Sequence, residues 1–275
     1  MSTQTKGKKK VKPAKVITIV AIIVVVLTIT QLVILGAKGG IGPLKFLKNN
    51  RMAKLLGNAE QYHPENLTAL EDSPLQGRRF LFLGSSVTNG SAALEVSVAD
   101  YIRILDGCEV VKEAQNGTTL ADNGGSSYLS RLKKVDTNQR FDAVIVQLST
   151  NDAKQKVDLG EVSDSRDPDA FDTSTVVGSM EAIIAYAAET WDCPVIFYTG
   201  TKFESAEYQA MVETMPLLQE KWGIGVIDLW NNAEMNAVSE EDYAFYMSDE
   251  IHPTQAGYLL WWTPVFQEYL YDVME

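Results

Sequence analysis

FLFLGSSVTNG, residues 80–90, runs four apolar residues into a glycine, two serines and a turn. A run that is apolar at consecutive positions, rather than at alternate ones, reads as a strand covered on both faces. Four more runs of strand length follow: CEVVKEA from Cys108, FDAVIVQL from Phe141, PVIFYTG from Pro194 and IGVIDL from Ile224. Helical patterns lie between them, near 93–106, 125–135, 175–190 and 204–222, with a last one near 254–272. Strands separated by helices need crossover connections, which make neighbouring strands parallel. Residues 78–275 are therefore expected to form one three-layer α/β domain around a five-stranded parallel sheet.

In such a fold ligands bind at the carboxyl edge of the sheet, and Ser85 and Ser86 fall just beyond the first strand. Gly84 leaves the backbone free to turn there. A serine after a strand is commonly only a cap or turn residue, so it needs partners. The segment MSDEIHPTQAGY, residues 247–258, supplies them as Asp249 and His252, three residues apart. A hydroxyl becomes a good nucleophile when a neutral imidazole takes its proton, and that imidazole needs an acceptor on its other nitrogen. A chance Asp at that spacing would occur about one time in sixteen. In VIVQLSTNDA, residues 144–153, Asn151 follows the middle strand and its amide can donate to a developing oxyanion. In EAQNGTTLAD, residues 113–122, the Gly117 N–H can point into the same cleft.

The four blocks, in this order and each at a strand end or before the final helix, resemble the SGNH/GDSL hydrolases. The resemblance spans Arg78 to the C-terminus. It implies a flavodoxin-like sheet of order 2-1-3-4-5, Ser86 as nucleophile, His252 as base and Asp249 as its orienting partner. It also implies an oxyanion hole formed by the N–H of Ser86, Gly117 and Asn151, with chemistry that passes through an acyl-enzyme and needs no cofactor or metal. Two positions depart from the family pattern. Gly84-Ser85-Ser86 stands for Gly-Asp-Ser, and Ser149-Thr150-Asn151-Asp152 for Gly-x-Asn-Asp. Ser85 is thus a rival nucleophile, but Ser86-Val87-Thr88 matches the family better. Ser149 puts the oxyanion loop in question.

Ahead of this domain, Val16 to Gly36 is free of charge over 21 residues, enough to cross a bilayer as a helix of ~20 residues. It is read as one transmembrane anchor, longer than the usual apolar core of a cleavable signal. Six lysines precede it, at 6, 8, 9, 10, 12 and 15, and Lys38, Lys45, Lys48, Arg51 and Lys54 follow it. Positive charge therefore orients the span only slightly; the short leader and large following domain favour an extracellular catalytic part. The expected organisation is a basic cytoplasmic leader (1–15), an anchor (16–36), a juxtamembrane stalk (37–77) and the hydrolase domain (78–275). Within the stalk, residues 43–56 are expected to form a basic amphipathic helix with Leu44, Leu47, Leu55 and Leu56 on one face.

Beyond residue 56 lie all 36 acidic residues against 13 basic ones, a balance that repels phosphate backbones and excludes nucleic acid as a partner. Two cysteines and two histidines exclude a disulfide-dense scaffold and a multi-histidine metal centre. In the expected sheet Cys108 and Cys193 lie about three strand spacings apart, roughly 14 Å, twice the reach of a disulfide, so both should be free thiols. Residues 152–172 hold seven acids and no regular pattern, and read as a solvated acidic flap without spaced calcium ligands. Trp261 and Trp262 fall on the last helix, where at least one should be core. Taken together, the chain reads as a membrane-anchored serine esterase acting on a small acyl ester or an acylated carbohydrate at the cell surface. The alternatives are a surface-anchored binding protein that keeps the fold without turnover, and an acyltransferase.

Overall fold

The computed structural model describes residues 13–39, 42 and 44–274, in two compact units, residues 1–51 and 52–275. Most of the leader, including the lysines at 6, 8, 9, 10 and 12, lies outside the described residues. In the first unit α1 (Pro13–Ile34) continues into a π-helical turn, Leu35–Gly39. The apolar stretch Val16–Ala37 spans 22 residues at a mean hydropathy of 2.9, and none of its most apolar window is buried. A helix apolar on every face and exposed along its most apolar window suits lipid, or a secretory apparatus, rather than a protein core. The hydroxyls of Thr28 and Thr30 donate to the carbonyls of Val24 and Val26 at 2.9 and 2.8 Å, which hides their polarity within the helix. The expected helix over 43–56 is shorter, α2 (Phe46–Met52), and Leu55 and Leu56 lie beyond it.

The second unit begins at Met52, and three 3-10 turns (Leu56–Asn58, Glu60–Tyr62, Pro64–Asn66) precede the first strand. Then come β1 (Arg79–Gly84), α3 (Ser86–Asn89), α4 (Val98–Leu105), β2 (Glu109–Ala114), α5 (Tyr128–Leu132) and β3 (Ala143–Gln147). After α6 (Thr150–Gln155) follow α7 (Val176–Trp191), β4 (Val195–Tyr198), α8 (Ala206–Glu213), α9 (Met215–Trp222), β5 (Gly225–Ile227) and α10 (Glu240–Tyr246). A π-helical turn, Gly257–Trp262, leads into α11 (Thr263–Met274). All sheet pairings are parallel and the order is β2-β1-β3-β4-β5, as the resemblance implied.

The consecutive apolar residues of each strand divide between two cores. Leu81, Leu83, Val144, Val146 and Phe197 pack under α5, α7, α8 and α9, while Phe80, Phe82, Ile145, Ile196 and Ile227 pack under α4 and α11. Side chains alternate across a strand, so only a sheet covered on both faces can bury every position. Trp262, Phe266 and Leu270 are fully buried against the second face, each worth about 1.5–3 kcal/mol. Trp262 is thus core, whereas Trp261 is half-buried. Both cysteines are free thiols.

Other expectations also need correction. The helix expected over 204–222 is two helices, because Pro216, at the start of α9, cannot donate a hydrogen bond back into α8. The helices expected near 93–106 and 125–135 begin later, at Val98 and Tyr128, where Ser97 and Ser127 cap them. The segment 152–172 is not a solvated flap throughout: it starts inside α6 with Asp152 fully buried, and Val157, Leu159 and Val162 pack against the core. It is fastened by Lys221, whose ammonium donates to the carbonyls of Ser163 and Ser165 and pairs with Glu181, a carboxylate with no exposed surface.

Candidate active site

β1 ends at Gly84, whose backbone is pressed by its neighbours: an added Cβ would stand 1.7 Å from Thr88 Oγ1 and 2.8 Å from Gln147 Oε1. Close approach, and not the sharp turn inferred from the sequence, is what requires glycine there. Thr88 is the nearer of the two, and behind it stands Gln147, the last residue of β3. Its buried Oε1 accepts from Ser85 N at 2.9 Å, Thr88 N at 3.1 Å and Thr88 Oγ1 at 2.8 Å. Thr88 Oγ1 is also 2.6 Å from the hydroxyl of Tyr198, at the end of β4. One carboxamide thus fixes the turn between β1 and α3.

That turn separates the two serines. Ser85 is fully buried and its hydroxyl lies 3.2 Å from Gln147 Nε2, committed to the scaffold. Ser86 is the first residue of α3, where N–H groups have no partner within the helix, and its hydroxyl faces His252 Nε2 at 2.8 Å.

His252 comes from a loop closed by an antiparallel bridge between Met247 and Pro253 and by Ser248 N donating to His252 O at 2.9 Å. Inside it Asp249 Oδ1 accepts from Ile251 N at 2.9 Å and His252 N at 2.8 Å, and both carboxylate oxygens face His252 Nδ1, at 2.8 and 2.9 Å. Partial burial pushes the Asp249 carboxyl up, but the bonds from His252 and from the two backbone N–H groups outweigh it and hold it at about 2. A carboxylate can only accept, so Nδ1 carries the imidazole proton and Nε2 is left to take the one on Ser86. Residues outside the expected domain brace this loop. The buried Asn58 accepts from Gln255 N at 2.8 Å and donates to Ala92 O at 2.8 Å, bridging the histidine loop and the chain after α3.

Ser149 caps α6 by accepting from Asp152 N at 3.3 Å, so the serine that replaces the family's glycine serves as a helix cap. Asn151 Nδ2 donates to Thr118 O at 2.9 Å, joining α6 to the turn at Gly117, which has φ +79°. Asp152 fastens the same turn from below, accepting from Leu120 N at 2.8 Å and Ala121 N at 3.0 Å. Ser86, His252 and Asp249 are therefore in one hydrogen-bonded line, and Asn151 and Gly117 are linked through Thr118. Sequence reasoning missed Gln147, Asn58 and the structural part of Asp152. Gln147 alone carried a signal, as a polar residue ending an otherwise apolar strand.

A hydroxyl, imidazole and carboxylate in this line can deliver a serine alkoxide to an ester carbonyl. Among the described residues no group of three or more His, Cys, Asp or Glu is placed to hold a metal ion. The family model described as the GDSL-like lipase/acylhydrolase family matches residues 82–260. The chain belongs to that family. It is accordingly a hydrolase that acts on esters. Three solved structures share its fold. A protein from Lactobacillus plantarum aligns with a TM-score of 0.59 at 19% identity, over 72% of this chain and 98% of its own. One from Desulfitobacterium hafniense, assigned to the G-D-S-L family of lipolytic proteins, aligns at 0.54 and 19% identity, over 70% and 100%. A family two carbohydrate esterase from Clostridium thermocellum, solved with cellohexaose, aligns at 0.51 and 13% identity, over 76% and 67%. A search of curated proteins finds no match.

Proposed function

We propose that the hydrolase is a membrane-anchored serine esterase that removes small acyl groups, acetyl foremost, with Ser86 as nucleophile, His252 as general base and Asp249 as its orienting carboxylate. The observation that carries the reading is the unbroken line from Ser86 Oγ through His252 to Asp249, with 2.8 Å at each step. Ser86 Oγ attacks the ester carbonyl carbon while its proton passes to His252 Nε2. The tetrahedral oxyanion is held by the N–H of Ser86 and Gly117 and by Asn151 Nδ2. Collapse breaks the bond to the alcohol, which leaves with the proton from His252, and water then repeats the sequence on the acyl-enzyme to release the acid.

The preference for a small acyl group rests on where the domain is expected to work. The apolar helix of 22 residues supports an anchor, with the domain on the outer face of the membrane, where acylated carbohydrate is a plentiful ester. The fold shared with a carbohydrate esterase is compatible with that substrate.

Rates on matched acetyl, octanoyl and palmitoyl esters, followed by acetate release from acetylated polysaccharide, test the reading with Ser86→Ala as control. The expected result is a rate falling with acyl length and absent in the variant. A preference for palmitoyl would contradict it.

A further inference from the structure

We propose that Arg131 is a positioning residue for hydrolysis, whose buried guanidinium ties together the three arms that carry the oxyanion donors. The proposal rests on the roles given above to Ser86, Gly117 and Asn151. Arg131, on α5, is 6% exposed. Its Nη2 donates to Gly84 O at 2.7 Å, on the strand that ends at the two serines, and to Thr118 Oγ1 at 3.3 Å, beside Gly117. Nη1 donates to Glu113 O at 2.6 Å, at the end of β2, and Nε to Ser126 O at 3.3 Å. The Thr118 carbonyl in turn accepts Asn151 Nδ2 at 2.9 Å. One planar fork is thus joined directly to the arms of Ser86 and Gly117, and through one residue to that of Asn151.

Lysine could not reproduce this, because its donors radiate from a single nitrogen on a flexible stem, whereas the guanidinium presents several in a fixed plane. The charge is also sparsely neutralised. Its carboxylate partner, Glu113, stands 4.0 Å away with its side chain 41% exposed, and the face of Tyr128 lies 5.3 Å from the guanidinium carbon. A buried cation is expensive to hold, and β1, β2 and β3 are already paired in register without it. Its position behind the strand ends gives it a function the sheet does not need: donors held rigid before the reaction, beside a positive field where negative charge develops.

The test uses the full chain in detergent and four variants, Arg131→Lys, Arg131→Gln, Thr118→Val and Asn151→Ala, singly and with each of the first three combined with the last. Acetyl ester kinetics are read after thermal unfolding has shown which variants are folded at the assay temperature. Arg131→Gln should lower kcat by about 10- to 100-fold, and Arg131→Lys by about 10-fold, with KM within twofold. In the Asn151→Ala background the same changes should cost less than threefold, because the hole they organise is already broken. Loss of packing alone would give equal losses in both backgrounds, and that result overturns the proposal, as does a folded Arg131→Gln with kcat within threefold of the wild type. If neither arginine variant folds, Thr118→Val decides, since it removes the arginine's link to the Gly117 turn, together with the bond that Thr118 Oγ1 donates to Gln115 O at 2.7 Å. It should lower kcat in the wild-type background but not in Asn151→Ala, and no loss in either overturns the proposal. If Asn151→Ala alone loses less than threefold, the oxyanion reading fails and the role of Arg131 with it; if only the arginine and threonine variants are silent, that reading stands and Arg131 alone is dismissed.

Discussion

Gln147 sits at the end of a strand whose other residues are all apolar, and its carboxamide is committed to Ser85 and Thr88. Replacing it by leucine keeps the volume but leaves the N–H groups of Ser85 and Thr88 buried without an acceptor. Each costs about 1–3 kcal/mol, so Gln147→Leu should lose about 2–6 kcal/mol in urea unfolding; a loss under 1 kcal/mol would show that water takes over. Asp249 sets a pH dependence of its own. Its folded-state value of about 2 lies below the ordinary value near 3.9, so its contribution to stability is complete above about pH 4 and is lost as pH falls towards about 2. The melting temperature of the wild type should therefore fall more steeply over that window than that of Asp249→Asn. The side chain is 54% exposed, so solvent screens the effect and the difference should be small. Ser86, Asn151 and His252 were legible because their residue types and order match a known pattern. Arg131 was not, since an arginine on a short helix reads as surface until its four acceptors are seen.

At the level of elements, the strands were legible for a physical reason: a sheet covered on both faces leaves no polar alternation to confuse the reading. Helix starts were not, because they are fixed by caps such as Ser97 and Ser127, and serines are common. The segment 152–172 misleads in the same way. Its acids suggest solvent, yet the buried Glu181, which also accepts from Ser163 N at 2.8 Å and Trp222 Nε1 at 2.9 Å, holds it through Lys221. Taking away one member of a buried pair strands the other, so Lys221→Met should cost about 3–5 kcal/mol and open 158–172 to protease before the rest of the domain unfolds. Equal protease sensitivity in wild type and variant would mean that Val157, Leu159 and Val162 suffice to hold the segment.

For the whole molecule, the sequence divides an N-terminal apolar helix from an acidic α/β hydrolase, and the structure keeps them as separate units. With an uncleaved anchor the full chain should sediment with membranes and resist extraction by carbonate, while a chain lacking residues 1–36 should not. Recovery of the native protein in the soluble fraction, shortened at its N-terminus, would make the helix a cleaved signal. The central claim concerns one oxygen atom, and a fluorophosphonate probe reads it directly. The labelled peptide from the wild-type chain should carry the phosphonate on Ser86; Ser85→Ala should still be labelled and Ser86→Ala should not. Full labelling of Ser86→Ala, or a phosphonate found on Ser85, would contradict the account.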